Sequence, residues 1–219
     1  MNRDRTLTGR TILVTGATSG LGLAHGRGAG PYGRRGHRSW PQRRQGQTAR
    51  FTGLVRATGN QQVSFVQADF ASLADVRRLA KDLNERLPRL DVLINNAGTA
   101  VVGRPMTVTG DGYEMTFAVN HLAPFLLTNL LLEKIKKSAP ARIVVVASEA
   151  HRNVKLDLED LMGERGGVGF RAYSRSKLAN ILFTRSLAKR LQGSGVTINA
   201  VHPGVVHTGL LSASTRPTS

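Results

Sequence analysis

The chain of 219 residues contains no cysteine, which excludes disulfide frameworks, thiolate nucleophiles and thiolate metal sites together. It has no run of about 18 apolar residues and no apolar stretch behind basic residues at its start, so neither a membrane span nor a secretory signal is expected, and a cytoplasmic location is. Aromatic residues make up 5% of it, with a single Trp. Acids are scarce as well: 14 Asp and Glu stand against 31 Lys and Arg, a net charge of +17, and none occurs between Arg5 and Ala68. Taken alone, that charge suggests nucleic acid or an anionic surface as partner. Its distribution argues otherwise, because residues 24–57 hold eight Arg and supply about half of the excess. With 40% hydrophobic residues, the length suits one domain with a real core.

Along the chain, Ile12-Leu13-Val14 is a short apolar run that leads straight into a glycine-rich loop from Gly16 to Gly22, the pattern of a buried strand entering a tight turn. Val63 to Asp69 reads as a strand, and Ser72 with Asp75 three residues on opens an amphipathic helix through Leu73, Val76, Leu79, Ala80 and Leu83. Asp91 to Asn95 is a further buried strand. Tyr113 to Lys137 is a long helical region broken near Pro124, and Arg142 to Ala147 is a strand of Ile and three Val. A helix from Tyr173 to Leu191 stops at Gly193 and Gly195, before a strand from Val196 to Val201. Strands alternating with helices predict an α/β domain, a doubly wound parallel sheet covered on both faces.

Two clusters carry chemistry. Thr15-Gly16-Ala17-Thr18-Ser19-Gly20-Leu21-Gly22 places three glycines between a strand and a helix start, where backbone N–H groups can approach a pyrophosphate and the helix N-terminus favours its charge. A plain glycine turn is the competing explanation. Tyr173-Ser174-Arg175-Ser176-Lys177 lies on a predicted helix, so its four-residue spacing puts phenol and ammonium on one face. A neighbouring cation favours the phenolate, which lets a tyrosine act as general acid or base near neutral pH. A surface Tyr and Lys one turn apart is the competing explanation here.

With Asp69 at a strand end, Asn95-Asn96-Ala97-Gly98, Asn120 within Thr116-Phe117-Ala118-Val119-Asn120-His121-Leu122, Ser148 after a strand, and Pro203-Gly204 followed by Thr208, these motifs stand in a characteristic order. The sequence resembles the short-chain dehydrogenase/reductase family, in its retinol-dehydrogenase-like and WW-domain-oxidoreductase-like branch, over residues 8–23 and 54–211. The resemblance implies a Rossmann-type domain over residues 1–211 and an NAD(P)-dependent oxidoreductase that passes hydride between a nicotinamide and a small-molecule alcohol or carbonyl substrate, with a sterol, a retinoid or a xenobiotic carbonyl all compatible. Tyr173 would exchange the proton with the substrate oxygen, and Lys177 would lower its pKa and hold the nicotinamide ribose. Ser148 would hydrogen-bond that oxygen, and Asn120 would hold a water linking Lys177 to solvent. Gly16, Thr18, Ser19, Gly20, Leu21 and Gly22 would cradle the pyrophosphate. Asp69 and Phe70 would meet the adenine, although Asp69 also suits a turn or cap. Asn96, with Ala97 and Gly98, would meet the adenosine side, while Asn95 would tie adjacent strands. Pro203, Gly204, Val206 and Thr208 would contact the nicotinamide end. Relatives commonly associate through their long helices, so a homo-oligomer is expected, with no metal and no membrane span.

Two stretches depart from the family pattern. Residues 24–53 should supply the rest of the first helix, the second strand and the next helix, yet Gly26, Gly28, Gly30, Pro31, Gly33 and Gly36 suit none of them. The composition is that of a GC-rich gene read in another frame, so a compensated frameshift or a sequencing error is expected. The residue that separates NADP from NAD belongs to this stretch; its arginines and the branch resembled favour NADP(H) over NAD(H). Only 11 residues follow Thr208, so the C-terminus reads as truncated before the substrate-covering elements, with 212–219 a disordered tail. Two other readings follow from these departures: a catalytically inactive or poorly folded relative, and a nucleic-acid binder using the Arg-rich segment, whose affinity would fall steeply with salt.

Overall fold

The computed structural model describes residues 9–16, 35–40, 63–101, 106–166 and 169–204. Six parallel strands form one sheet: β1 Thr11–Thr15, β2 Arg35–Trp40, β3 Val63–Gln67, β4 Val92–Asn95, β5 Ala141–Val146 and β6 Val196–Val201. Their spatial order is β3-β2-β1-β4-β5-β6, the doubly wound arrangement in which the chain reverses direction of growth between β1 and β4. The fold class expected from the sequence is therefore the one observed.

The strand in the anomalous segment is a correction. Arg35-Gly36-His37-Arg38-Ser39-Trp40 has no β-strand pattern, yet it lies between β1 and β3, with Thr11 opposite Arg35 and Trp40 opposite Gln67. Ladder pairing uses backbone N–H and C=O groups, and the strand on either side fixes an extended path whatever the side chains prefer. The rest of residues 24–53 and the expected tail 212–219 lie outside the described residues.

Helix α1, Leu73–Arg86, begins where the sequence places it: Ser72 Oγ accepts from Asp75 N at 3.3 Å. Asp111 reaches over from a distant loop and accepts from Leu73 N at 2.7 Å, satisfying another free donor of the first turn. The long helical region starts with α2, Met115–Phe117, whose two free N–H groups at Thr116 and Phe117 donate to the Glu114 carboxylate at 2.9 and 2.7 Å. It continues through a π turn, Ala118–Leu122, into α3, Ala123–Lys137. The break expected near Pro124 is thus a π turn just before it, with Ala123 N donating to Ala118 O. By length and composition, Met115–Lys137 is apolar enough to cross a membrane, but half of its most apolar window is buried within the fold.

Helix α4, Phe170–Arg190, starts three residues earlier than its pattern suggested. One core unites Leu13, Leu93, Ile143, Val145 and Ile198 of the strands with Val76, Leu79 and Leu83 of α1, Leu127, Leu131 and Ile135 of α3, and Leu187 of α4. Ile12 and Val14 point to the other face, with Val92 and Ile94 against them.

Candidate active site

The C-terminal ends of β1, β4, β5 and β6 share one edge of the sheet, the edge where open parallel sheets bind ligands. At the exit of β1, Gly16 has φ +65°, and a Cβ there would stand 2.7 Å from Ala97 Cα, so only glycine lets the two loops touch. Thr15 is fully buried; its Oγ1 accepts from Asn96 N and Ala97 N, both at 3.0 Å. Asn96 Nδ2 donates to the carbonyls of Thr15 and Gly16 at 2.9 and 3.2 Å. Its amide hydrogens thus fasten the glycine loop to the β4 exit, a task the sequence did not assign to it. Asn95 also differs from expectation: its Nδ2 donates to Thr128 Oγ1 at 2.8 Å, tying β4 to α3 and not to the next strand.

Lys177 and Tyr173 share a face of α4 one turn apart, as their spacing predicts. The Lys177 ammonium is buried, 5.4 Å from the centre of the Tyr173 ring, and donates to Val146 O at the end of β5 at 2.9 Å. Burial pulls its pKa down from the usual lysine value to about 8. Tyr173 is half-buried, with the Phe170 ring stacked beside it at 5.9 Å. Ser148 follows β5 and caps a short 3₁₀ turn, Glu149–Asn153; its Oγ accepts from Ala150 N at 3.3 Å. That bond occupies a lone pair and leaves the hydroxyl proton free to be donated.

Asn120 sits in the π turn and is 1% exposed. Its Oδ1 accepts from Thr99 N at 2.7 Å, and its Nδ2 donates to Thr99 O at 2.9 Å and Ser176 Oγ at 3.0 Å. Ser176 Oγ in turn donates to Tyr173 O at 2.6 Å. The Asn120 side chain therefore clamps the β4 exit to α4. Gly98 lies exposed above this point; a Cβ on it would stand 3.4 Å from Asn120 Oδ1 and 3.8 Å from Lys177 Nζ.

Asp69 is exposed beyond β3, and its Oδ1 accepts from Ala71 N at 2.9 Å, the turn role held open for it. Phe70 departs from expectation, because its side chain is 1% exposed and belongs to the core, which leaves only its backbone for a ligand. Pro203 and Gly204 lie exposed just past β6, Gly204 at φ +79°. Thr18, Ser19, Gly20, Leu21, Gly22, Val206 and Thr208 lie outside the described residues. Sequence reasoning did not single out Thr15, Ser176 or Asn180, which bond the residues above, or His121, which bonds Asn180. Their signal was spacing: Asn180 follows Lys177 by three residues on the same helix.

Three comparisons place this geometry among known proteins. The family described as short chain dehydrogenase matches residues 10–218. Among curated relatives, mouse (Mus musculus) retinol dehydrogenase 14 is 47% identical over 211 residues, covering 92% of this chain and 63% of its own length. Bovine (Bos taurus) dehydrogenase/reductase SDR family member 13 is 45% identical over 208 residues, covering 93% and 53%. The chain thus spans between half and two thirds of the length of these relatives. Among solved structures, the Pseudomonas aeruginosa RhlG/NADP active-site complex is 29% identical with a TM-score of 0.75, covering 97% of this chain and 79% of that one. A blue fluorescent protein from a metagenomic library, in complex with NADPH, is 30% identical with a TM-score of 0.72, covering 91% and 76%.

Proposed function

Because this chain belongs to the short-chain dehydrogenase family, we propose that it is an NAD(P)-dependent oxidoreductase interconverting an alcohol and a carbonyl, with Tyr173 as the proton-transferring group. The observation that carries this reading is the buried Lys177 ammonium 5.4 Å from the Tyr173 ring, at the ligand-binding edge of the sheet. A dinucleotide fits the crevice between the exits of β1 and β4. The positive φ of Gly16 and its contact with Ala97 turn the loop there without a side chain in the way, and the order of the strands puts the reversal point at that crevice. In this reading Gly16, Thr18, Ser19, Gly20, Leu21 and Gly22 hold the pyrophosphate. Asp69, the Phe70 backbone, Asn96, Ala97 and Gly98 take the adenosine side, and Lys177, Tyr173, Pro203, Gly204, Val206 and Thr208 take the nicotinamide side.

When bound, the nicotinamide supplies or accepts the hydride. In the reducing direction the Tyr173 hydroxyl gives its proton to the substrate oxygen, and in the oxidising direction the phenolate takes it back. The Lys177 cation stabilises negative charge on that phenolic oxygen. Ser148 donates its free proton to the same substrate oxygen, where charge develops in the transition state. Asn120 acts through its clamp on Thr99 and Ser176, which sets the turn of α4 carrying Tyr173 and Lys177.

NADP(H) is the cofactor to test before NAD(H), supported by the NADP and NADPH complexes among similar structures. Retinoids are the first substrates to test, because several relatives are named retinol dehydrogenases. A pair of chains meeting through α3 and α4 belongs to the same reading, with Phe125 and Leu182 exposed on those helices. The test is consumption of NADPH with retinal or a small carbonyl, followed at 340 nm. Tyr173→Phe should lower turnover by about 10²-fold or more while leaving the cooperative thermal transition in place. No turnover with either cofactor, or turnover unchanged in Tyr173→Phe, would refute it.

A further inference from the structure

Three residues beyond Lys177, helix α4 carries an asparagine with no part in the reaction described above. Asn180 is 3% exposed. Its Nδ2 donates to the main-chain carbonyl of Asn120 at 3.0 Å, and its Oδ1 lies 2.9 Å from Nδ1 of His121. The carbonyl it reaches is an unusual acceptor. Pro124 stands four residues beyond Asn120 and has no N–H, so the ordinary α-helical donor to that carbonyl is missing. The helix passes through its π turn at the same point, an irregularity that recurs at functional sites. A side chain from the neighbouring helix supplies a donor to that carbonyl.

This network settles where the hydrogens lie. A main-chain carbonyl only accepts, so the Asn180 amide turns its nitrogen to Asn120 and its oxygen to His121. His121 must then carry its proton on Nδ1. The remainder of the ring packs among Phe117, Phe125 and Phe183, with ring centres 5.2, 5.8 and 6.4 Å away. Burial among these apolar rings pushes the imidazole pKa below its usual value, against the opposing effect of the Asn180 bond.

We propose that His121 and Asn180 are positioning residues of this enzyme: the neutral imidazole orients the Asn180 amide, which holds the Asn120 main chain so that Asn120 can set the turn of α4 bearing Tyr173 and Lys177. The inference rests on the oxidoreductase reading. Asn120 itself makes two links from the π turn to α4, Asn180 to its carbonyl and its side chain to Ser176, beside the bond of His121 to Asn180. The second of these sits on the residue between Tyr173 and Lys177 that bonds the Tyr173 carbonyl. If the first link is cut, the second loses its reference, and the phenol loses register against Ser148 and the substrate oxygen.

Three variants test it. His121→Phe keeps a ring among the aromatic residues and removes the N–H, Asn180→Asp keeps the shape and removes the donor to Asn120, and His121→Asn restores an amide N–H at the same position. The expected result is a kcat about tenfold lower in His121→Phe and Asn180→Asp, with cofactor KM within about twofold, and recovery to within about threefold of wild type in His121→Asn. A second readout needs no turnover: long-range ¹⁵N–¹H correlation spectra of the cofactor-free chain should show His121 in the Nδ1–H form and uncharged at pH 7. In Asn180→Asp the new carboxylate should favour the imidazolium and raise the pH at which His121 titrates. An Nε2–H form in the wild type overturns the proposal whatever the activity, as does unchanged kcat in both donor-removing variants of an active enzyme. An inactive wild type with the Nδ1–H signal overturns the oxidoreductase reading itself, which separates the two failures.

Discussion

Asp91 lies at the opposite end of the sheet from the active site, and its replacement tests how that end is held. It is 1% exposed and accepts four hydrogen bonds: from Arg10 Nη1 at 2.7 Å, Arg89 Nε at 2.9 Å, Arg89 Nη2 at 2.6 Å and Thr11 N at 2.8 Å. Asp91→Ala leaves the buried Thr11 N–H without an acceptor, at a cost of roughly 1–3 kcal/mol. The two arginine side chains are 36% and 44% exposed, so they return to water and each lost pair costs at most about 1 kcal/mol. The total is about 3 kcal/mol, or a fall in Tm of roughly 6–12 °C for a domain of this size. Asp91→Asn keeps one acceptor for Thr11 and should lose about half as much.

The same network fixes the pH dependence. Burial alone would raise the Asp91 pKa, but the hydrogen bonds from Arg89, Arg10 and Thr11 outweigh it and hold the carboxyl below its ordinary value. A carboxyl whose folded pKa is depressed contributes stability that is present above the unfolded value of about 3.9 and is lost as pH falls through the lower folded value. The gap between wild type and Asp91→Ala should therefore stay constant from pH 8 to about 5 and shrink below about 4. Urea unfolding followed by far-UV circular dichroism at several pH values measures it. A gap under about 1 kcal/mol at neutral pH, or one that widens toward acid, would refute the reasoning.

At the other end of the sheet, Gly16→Ala puts a side chain on a residue at φ +65° with a Cβ 2.7 Å from Ala97 Cα; strain and backbone collision together should cost about 3 kcal/mol in urea unfolding, and a loss below about 1 kcal/mol contradicts the contact. Lys177 has its pKa lowered to about 8 by burial, so the folded chain releases this proton before the unfolded one, and its penalty is full below pH 8 and fades as pH rises further. Lys177→Met should be the more stable chain at pH 7 by about 2 kcal/mol, roughly 3 from desolvation less about 1 for the lost bond to Val146 O, with the wild type closing the gap toward pH 10. A difference in urea midpoint that does not change with pH sinks that account.

Where burial repeats along the chain, the sequence was legible. Alternation and apolar runs located β1 and β3 to β6, and Ser72 with Asp75 located the start of α1, because these features are local. Strand β2 was not legible, since its place comes from backbone pairing to β1 and β3 and its own side chains carry no pattern. A compensated frameshift across residues 24–53 remains our proposal for that stretch, and rereading the gene in its other frames for a helix-strand-helix pattern tests it. Within the site, Tyr173 and Lys177 were legible because four residues make one helical turn. The roles of Asn95, Asn96 and Phe70 were not, because each depends on which neighbour a distant segment brings: Thr128 for Asn95, the Gly16 carbonyl for Asn96, the core for Phe70. Asn180 and His121 escaped notice for the same reason, although Pro124 four residues after Asn120 marked a carbonyl in need of a donor.

The measurement that bears most directly on the proposed function is the fate of the transferred hydrogen. The purified chain is incubated with NADPH carrying deuterium at the nicotinamide C4, and a reducible carbonyl substrate is examined by mass spectrometry. The account predicts an alcohol product one mass unit heavier, with the deuterium on the former carbonyl carbon, and loss of that product in Tyr173→Phe. Transfer at one face takes only one of the two C4 hydrogens, so an alcohol product without deuterium from both C4-labelled epimers of the cofactor would contradict hydride transfer at this site.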